Sequence, residues 1–262
     1  MKCLYPVIVR NGIQMDIVPC GRCIVCKENN IRQWFVRIMC EVGYCDYAKF
    51  LTLTYDEEHN TNTLAHKDFQ DYVKRVRKAL GVIKLKYYMC GEYGELKGRP
   101  HYHAIMLVYG DIGKTDLSKV FRENWKMGYV QVGTVTPRSV RYCLDYMQKL
   151  KKLEYLSYQV KPYQKMSQGL GLCYLQENEE QISELKYLAY KNVKYDVPRY
   201  FKKKSEIVQN ATMNPVIDKV YAQSMTELFE NKFGSKKRSI SAKAEQIKKN
   251  IIARKKIKRG RL

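Results

Sequence analysis

Apolar positions along the chain switch between two spacings. Ile31, Trp34, Phe35, Ile38 and Met39 recur at helical intervals up to about Glu41. Phe50-Leu51-Thr52-Leu53-Thr54-Tyr55 then alternates with β-branched residues, the pattern of a strand. Phe69, Tyr72, Val73, Val76 and Leu80 return to the helical period, and Gly81 stands where a helix ends. Strands are predicted over Leu85–Cys90 and His101–Tyr109, joined by the glycine-rich stretch Gly91–Pro100. Asp116 is placed to cap a helix from Leu117 to Trp125. Gly128–Thr136 alternates as a strand, and Pro137 suits the first turn of a helix running to about Leu150.

The order β-α-β-β-α-β-α predicts an α+β fold, an antiparallel sheet with helices on one face, near the ferredoxin-like or RRM-like class. A cysteine-rich segment and helix (1–48) precede this core (49–150). A Tyr/Lys-rich extension (151–232), whose pattern is harder to read, and a basic tail (233–262) follow it.

Charge changes the picture. The net charge is +22. From Ser235 to Leu262 twelve cations, among them Lys236, Lys237 and Arg238, face the single acid Glu245, so the tail holds half of the excess. A polyanion, nucleic acid first, is the expected partner. By itself such a tail is equally a solvated, nonspecific anchor. No secretory leader and no run approaching the ~18 apolar residues of a membrane span is visible, so no membrane partner is expected. In a reducing cytoplasm the nine cysteines suggest metal before disulfides.

Two of the four histidines occur as His101-Tyr102-His103. A strand's period of two puts both imidazoles on one face and Tyr102 on the other. Glu92, just after the preceding predicted strand, is available as an oxygen ligand. Two imidazoles and a carboxylate with open positions suit Mg²⁺ or Mn²⁺ acting on a phosphate. Downstream, Tyr142, Tyr146 and Lys149 fall at i, i+4 and i+7 on one helical face. Tyrosine can act as a covalent nucleophile once its phenol is activated, and a metal and Lys149 would both favour the phenolate. Asp145, three residues after Tyr142, would oppose this, which ranks Tyr146 as the stronger nucleophile.

Cys20, Cys23 and Cys26 form a C-x₂-C-x₂-C cluster, and Cys3 could be a fourth ligand. Structural Zn²⁺, free thiols and another metal chemistry all remain open on spacing alone. Tyr155, Tyr158, Lys161, Tyr163, Lys165, Lys194, Tyr195, Arg199 and Tyr200 mix aromatics with cations, either as base-stacking groups or as core tyrosines under lysine stems.

Taken in order, Phe50–Tyr55, Glu92, His101-Tyr102-His103 and Tyr142-x₃-Tyr146-x₂-Lys149 are similar to the HUH endonucleases. With Pro19-Cys20-Gly21-Arg22-Cys23, Cys90-Gly91-Glu92-Tyr93-Gly94, Gly98-Arg99-Pro100, Gly169-Leu170-Gly171 and Val197-Pro198-Arg199-Tyr200, the chain resembles the replication initiators of Microviridae, the gokushovirus type, from Cys3 to about Lys204. The resemblance implies rolling-circle initiation in the cytoplasm of a bacterial host. His101, His103 and Glu92 would hold the metal. Tyr146 would attack single-stranded DNA at a phage origin, and Tyr142 would be the second nucleophile. A host polymerase would extend the freed 3′-OH. No Gly-x₄-Gly-Lys-Ser/Thr loop is present, so a separate host helicase is expected. Arg99 and Arg141, with the tail cations, are candidate DNA contacts.

Two other classes fit parts of the pattern. A plasmid initiator or transposase would share the chemistry. An RRM-like single-stranded nucleic-acid-binding protein would use exposed sheet aromatics and no metal. A DNA-condensing protein would explain the tail alone.

Overall fold

A computed structural model describes residues 3–11, 14–94, 98–146 and 156–212. The elements are β1 (Val7–Asn11), β2 (Gln14–Val18), α1 (Ile24–Val42), β3 (Tyr47–Tyr55), α2 (His66–Leu80), β4 (Lys84–Tyr93), β5 (Pro100–Tyr109), α3 (Leu117–Glu123), β6 (Gly128–Thr134), α4 (Pro137–Tyr146), β7 (Tyr163–Met166), α5 (Leu172–Glu177), α6 (Glu179–Leu185), β8 (Tyr187–Tyr190), β9 (Val193–Asp196), α7 (Arg199–Lys204) and α8 (Glu206–Thr212). Packing divides the chain into two compact units. One runs to Arg32 and takes up the chain again from Gln209; the other is Gln33–Val208.

The larger unit is built on a five-stranded antiparallel sheet of order β6-β3-β5-β4-β7. The α+β antiparallel class read from the sequence is the class observed. α2 forms where the periodicity predicted, burying Phe69, Tyr72, Val73, Val76 and Leu80, and Gly81 ends it at φ 64°. Asp116 caps α3 by accepting a hydrogen bond from the Ser118 amide at 2.8 Å. Both helices lie on the sheet face formed by Leu51, Leu53, Tyr55, Met89, Tyr102, Ala104, Met106 and Val108, giving the main core with Trp125. Gly128 starts β6 at φ 144°, and a Cβ there would stand 2.4 Å from the backbone of Thr54 and Asp56. Only glycine allows β6 to approach β3 this closely.

The sheet's second face is covered as well. Tyr88, Cys90, Ile105 and Leu107 on that face are fully buried. Val140, Cys143 and Leu144 are the buried side of α4, and Cys143 Sγ lies 3.3 Å from Cys90 Sγ. Trp34 of α1 meets Tyr88 with ring centroids 5.6 Å apart. So α2 and α3 provide the expected helical layer, and α4 and the second half of α1 add a layer opposite.

The predicted extension supplies the fifth strand. β7 pairs with β4 from Tyr88↔Met166 to Gly91↔Tyr163. A second small core gathers Val36, Leu175, Ile182, Leu188, Val197, Phe201 and Val208. A buried carboxylate ties these parts together. Glu41 receives Lys86 Nζ at 2.5 Å and further hydrogen bonds from the Tyr109 hydroxyl and the Gly171 amide.

In the smaller unit, β1 and β2 form an antiparallel hairpin that sequence reading did not anticipate, with Val7↔Val18 and Asn11↔Gln14 in register. Cys3, Cys20, Cys23 and Cys26 converge beside it. Among the described residues, no helix is long and apolar enough to cross a membrane.

Candidate functional site

The central strands β4 and β5 create the site. Their register sets Glu92 directly opposite His101 and Cys90 opposite His103. Glu92 thus lies inside β4, not just after it as the sequence suggested. Alternation sends His101 and His103 to one face and Tyr102 to the other, as expected. Tyr102 is fully buried. Its hydroxyl donates to the Ala65 carbonyl at 2.8 Å, accepts from the Ala65 amide at 2.9 Å and meets the Tyr55 hydroxyl at 2.8 Å. Burial pushes both phenols well above their ordinary range, so Tyr55 and Tyr102 are neutral anchors.

On the other face three potential ligand atoms meet. Glu92 Oε1 is 2.8 Å from His101 Nε2 and 3.1 Å from His103 Nε2. The second nitrogen of each ring is also held. His101 Nδ1 donates to the Arg99 carbonyl at 3.1 Å, and His103 Nδ1 bonds the Thr52 hydroxyl at 3.0 Å. A carbonyl only accepts, so His101 carries its proton on Nδ1 and turns Nε2 to the carboxylate. This is the orientation of a metal-ligating histidine with its outer hydrogen bond in place. Burial would raise the Glu92 pKa, but the hydrogen bonds and charge of the two imidazoles outweigh it and hold the carboxyl below its usual range. The residues therefore fit a small divalent cation with two nitrogen and one oxygen donors.

Phe50 stacks on His103 (centroids 5.6 Å, interplanar 15°). The Tyr142 ring stands edge-on to the same imidazole at 5.1 Å and to Phe50 at 6.4 Å. Tyr142 is 43% exposed, so its phenol is open to solvent next to the ligand cluster. The position of α4 follows from its buried residues. Cys143 donates to the His103 carbonyl at 3.7 Å. The contact with Cys143 and burial push the Cys90 thiol well above its ordinary pKa, so both sulfurs pack as neutral thiols and seat the helix.

Tyr146 is the last residue of α4, one turn beyond Tyr142. Lys149, Tyr155, Lys236, Lys237 and Arg238 lie outside the described residues. Asp145 was expected to disfavour the Tyr142 phenolate; it accepts a hydrogen bond from Arg141 Nε at 3.0 Å, which offsets its charge. The two other candidate DNA-contacting cations are thus both paired within the chain: Arg141 with Asp145, and Arg99 with Glu57 and, at 2.9 Å, the Tyr55 carbonyl. Of the mixed aromatics, Tyr163 stacks on His66 at 5.3 Å and Tyr195 on Phe35 at 5.6 Å, and Tyr200 receives Arg37 over its ring at 3.7 Å. These three serve packing. Sequence reasoning missed Thr52 as the partner of His103. Its signal was present: Thr52 and Thr54 are the polar members of an alternating strand, on the face that carries the histidines.

Comparison with known proteins agrees with this architecture. Residues 48–151 match the family of replication-associated proteins that is named for ORF2. The replication-associated protein ORF2 of Spiroplasma virus 4 is 32% identical over 224 residues, covering 75% of this chain and 70% of that protein. Replication-associated protein VP4 of Bdellovibrio phage phiMH2K is 31% identical, covering 70% of this chain and 65% of the relative. Replication-associated protein ORF4 of Chlamydia phage 1 is 29% identical, covering 71% and 52%. No solved structure matches the chain. The chain belongs to the phage replication-associated proteins, the replication initiators of Microviridae.

Proposed function

We propose that this initiator nicks one DNA strand at a phage origin, using a tyrosine of α4 as nucleophile beside a metal held by Glu92, His101 and His103. The observation that carries this reading is the Tyr142 ring 5.1 Å from the imidazole of His103, itself bonded to Glu92. A divalent cation, Mg²⁺ or Mn²⁺, would supply Lewis-acid polarisation of the scissile phosphate. Thr52 and the Arg99 carbonyl fix the imidazoles that hold it.

The phenolate oxygen attacks phosphorus and forms a P–O bond to tyrosine. The bond from phosphorus to the 3′ oxygen breaks, and that oxygen takes up a proton to leave a free 3′-OH. The 5′ end stays on the protein as a phosphotyrosine. Because one phosphodiester replaces another, the bond energy is conserved for rejoining without ATP. Tyr142 and Tyr146, one turn apart, provide two nucleophiles for successive cleavages, and Lys149 is the candidate cation for the phenolate. A host polymerase would extend the 3′-OH and a host helicase would open the duplex in the bacterial cytoplasm.

The burial of Tyr88, Ile105 and Leu107 weighs against the RRM-like alternative, since the sheet face such a protein would use for base stacking is packed under helices. The deciding experiment incubates the full chain with single-stranded fragments tiling the phage genome, with Mn²⁺ or with EDTA. An Mn²⁺-dependent 5′-linked adduct is expected. The Asp145–Arg141 pair narrows the difference between the phenols, so Tyr142→Phe and Tyr146→Phe each retain an adduct on the remaining tyrosine, and the double variant loses it. Intact DNA with metal-independent binding would replace this reading with a noncatalytic binding protein.

The hydrogen bond from Thr52 yields a separate expectation. Thr52→Val keeps the shape of the side chain but removes the hydroxyl that orients His103. Loss of such an outer partner typically weakens metal binding about 10–100-fold. The Mn²⁺ concentration that half-saturates the site, read from the EPR signal of free Mn²⁺, is expected to rise by that factor.

A further inference from the structure

The smaller unit contains a second cluster that nicking does not use. Cys3, Cys20, Cys23 and Cys26 offer four sulfur atoms, all within 4.8 Å of one another. Cys3 Sγ is 3.5 Å from Cys20 Sγ and 3.9 Å from Cys23 Sγ. All four are free thiols, and these separations far exceed the ~2.05 Å of a disulfide. Four sulfurs at the corners of a tetrahedron around zinc, each ~2.3 Å from the metal, would lie about 3.8 Å apart. The observed spacing brackets that value.

The backbone is arranged around the sulfurs as well. The Cys20 amide donates to Cys3 Sγ at 3.3 Å, the Cys23 amide to Cys20 Sγ at 3.4 Å and the Cys26 amide to Cys23 Sγ at 3.5 Å. Such N–H···S bonds orient thiolate ligands and spread their charge. Gly21, at φ 70°, makes the turn that lets Cys20 and Cys23 face the same point. Val25 is fully buried, and Leu4, Ile17 and Ile24 pack around the cluster.

We infer that Cys3, Cys20, Cys23 and Cys26 bind one structural zinc ion that clamps the β1–β2 hairpin to the first turn of α1. All four positions are filled by protein, which is the closed coordination of a structural site and leaves no place for substrate. The hairpin needs such a clamp. It has two strands of five residues, and Val7, Ile8 and Val9 are 40–47% exposed. A two-stranded hairpin of that length is marginal in water by itself. Metal affinity would become folding energy for this segment. The soft sulfur set also separates this ion from the one proposed at Glu92, His101 and His103, whose nitrogen and oxygen donors suit a harder cation.

The test uses the full chain. Protein purified without chelator is expected to hold about one zinc per chain after exhaustive dialysis, as a closed site does. That zinc persists in a Glu92→Ala/His101→Ala/His103→Ala variant and is released by a mercurial reagent as the fourth thiol reacts. Cys20→Ser is expected to lose it. Because Cys20→Ser could misfold, the wild-type chain is also loaded with Co²⁺. A sulfur-to-cobalt charge-transfer band with intense tetrahedral d–d bands, and X-ray absorption showing an all-sulfur zinc shell at about 2.3 Å, support the site. Folded protein without zinc, a shell of nitrogen and oxygen, or iron in place of zinc would overturn it.

Discussion

His103→Ala is expected to reduce single-turnover strand cleavage by roughly 10³-fold while single-stranded DNA binding stays close to wild type. Metal polarisation of a phosphate contributes several kcal/mol to the transition state, and about 4 kcal/mol corresponds to roughly 10³ in rate. The two imidazoles and the carboxylate meet at one oxygen, 2.8 Å and 3.1 Å from the ring nitrogens, so each ligand is needed to keep the others in place. Residues that act as a unit give non-additive losses. Glu92→Ala and His101→Ala are therefore expected to match His103→Ala, and the triple variant to fall little further. Quench-flow cleavage with saturating Mn²⁺, beside fluorescence anisotropy for binding, measures both quantities. Wild-type cleavage by His103→Ala would show that the active cation is held elsewhere.

The second large effect is on stability. Glu41→Ala is expected to destabilise the fold by about 3–5 kcal/mol, the usual cost of removing one partner of a buried ion pair. Glu41 is fully buried and Lys86 nearly so, with Nζ and Oε1 2.5 Å apart. Removing the carboxylate leaves the ammonium with the Gly169 carbonyl at 3.5 Å. It also deprives the Tyr109 hydroxyl and the Gly171 amide of their acceptor. The pair Glu41→Leu/Lys86→Met removes both charges and is expected to recover only part of the loss, because the hydroxyl and the amide are still unsatisfied. Urea denaturation reads this as a lower midpoint at unchanged slope. A midpoint for Glu41→Ala close to wild type would mean that the Lys86 ammonium finds water.

The parts of this fold that were legible in the sequence are those written in local periodicity. β3, α2, β5 and α3 show it directly, with Gly81 and Asp116 at their ends. The rest depends on partners distant in the chain. β7 is four residues, Tyr163–Met166, too short to display alternation, and is a strand because β4 offers it an edge. The turn between β8 and β9 uses Lys191 and Asn192 at φ 46° and 61° in place of the expected Asn-Gly signature. That signature does occur at Asn11-Gly12, between β1 and β2, beside the more conspicuous cysteines. The helical layer over the second face also had a signal. Ala104–Val108 is five apolar residues without alternation, the mark of a strand buried on both sides. At the site, His101, His103 and Glu92 were legible because their chemistry restricts the residue types. Thr52 was not, because an orienting hydroxyl looks like any other threonine in a strand.

Tyr102 makes folding a quality check on chemistry. Its hydroxyl is held on both the amide and the carbonyl of Ala65, so β5 has a single setting against the start of α2. A slip of one residue would drive an imidazole into that socket and turn Tyr102 toward Glu92. A chain one residue longer or shorter within this strand would thus lose its core together with its ligands. Insertions and deletions in β5 are purged at the level of folding, before a stable but inert initiator could accumulate and compete for the same DNA.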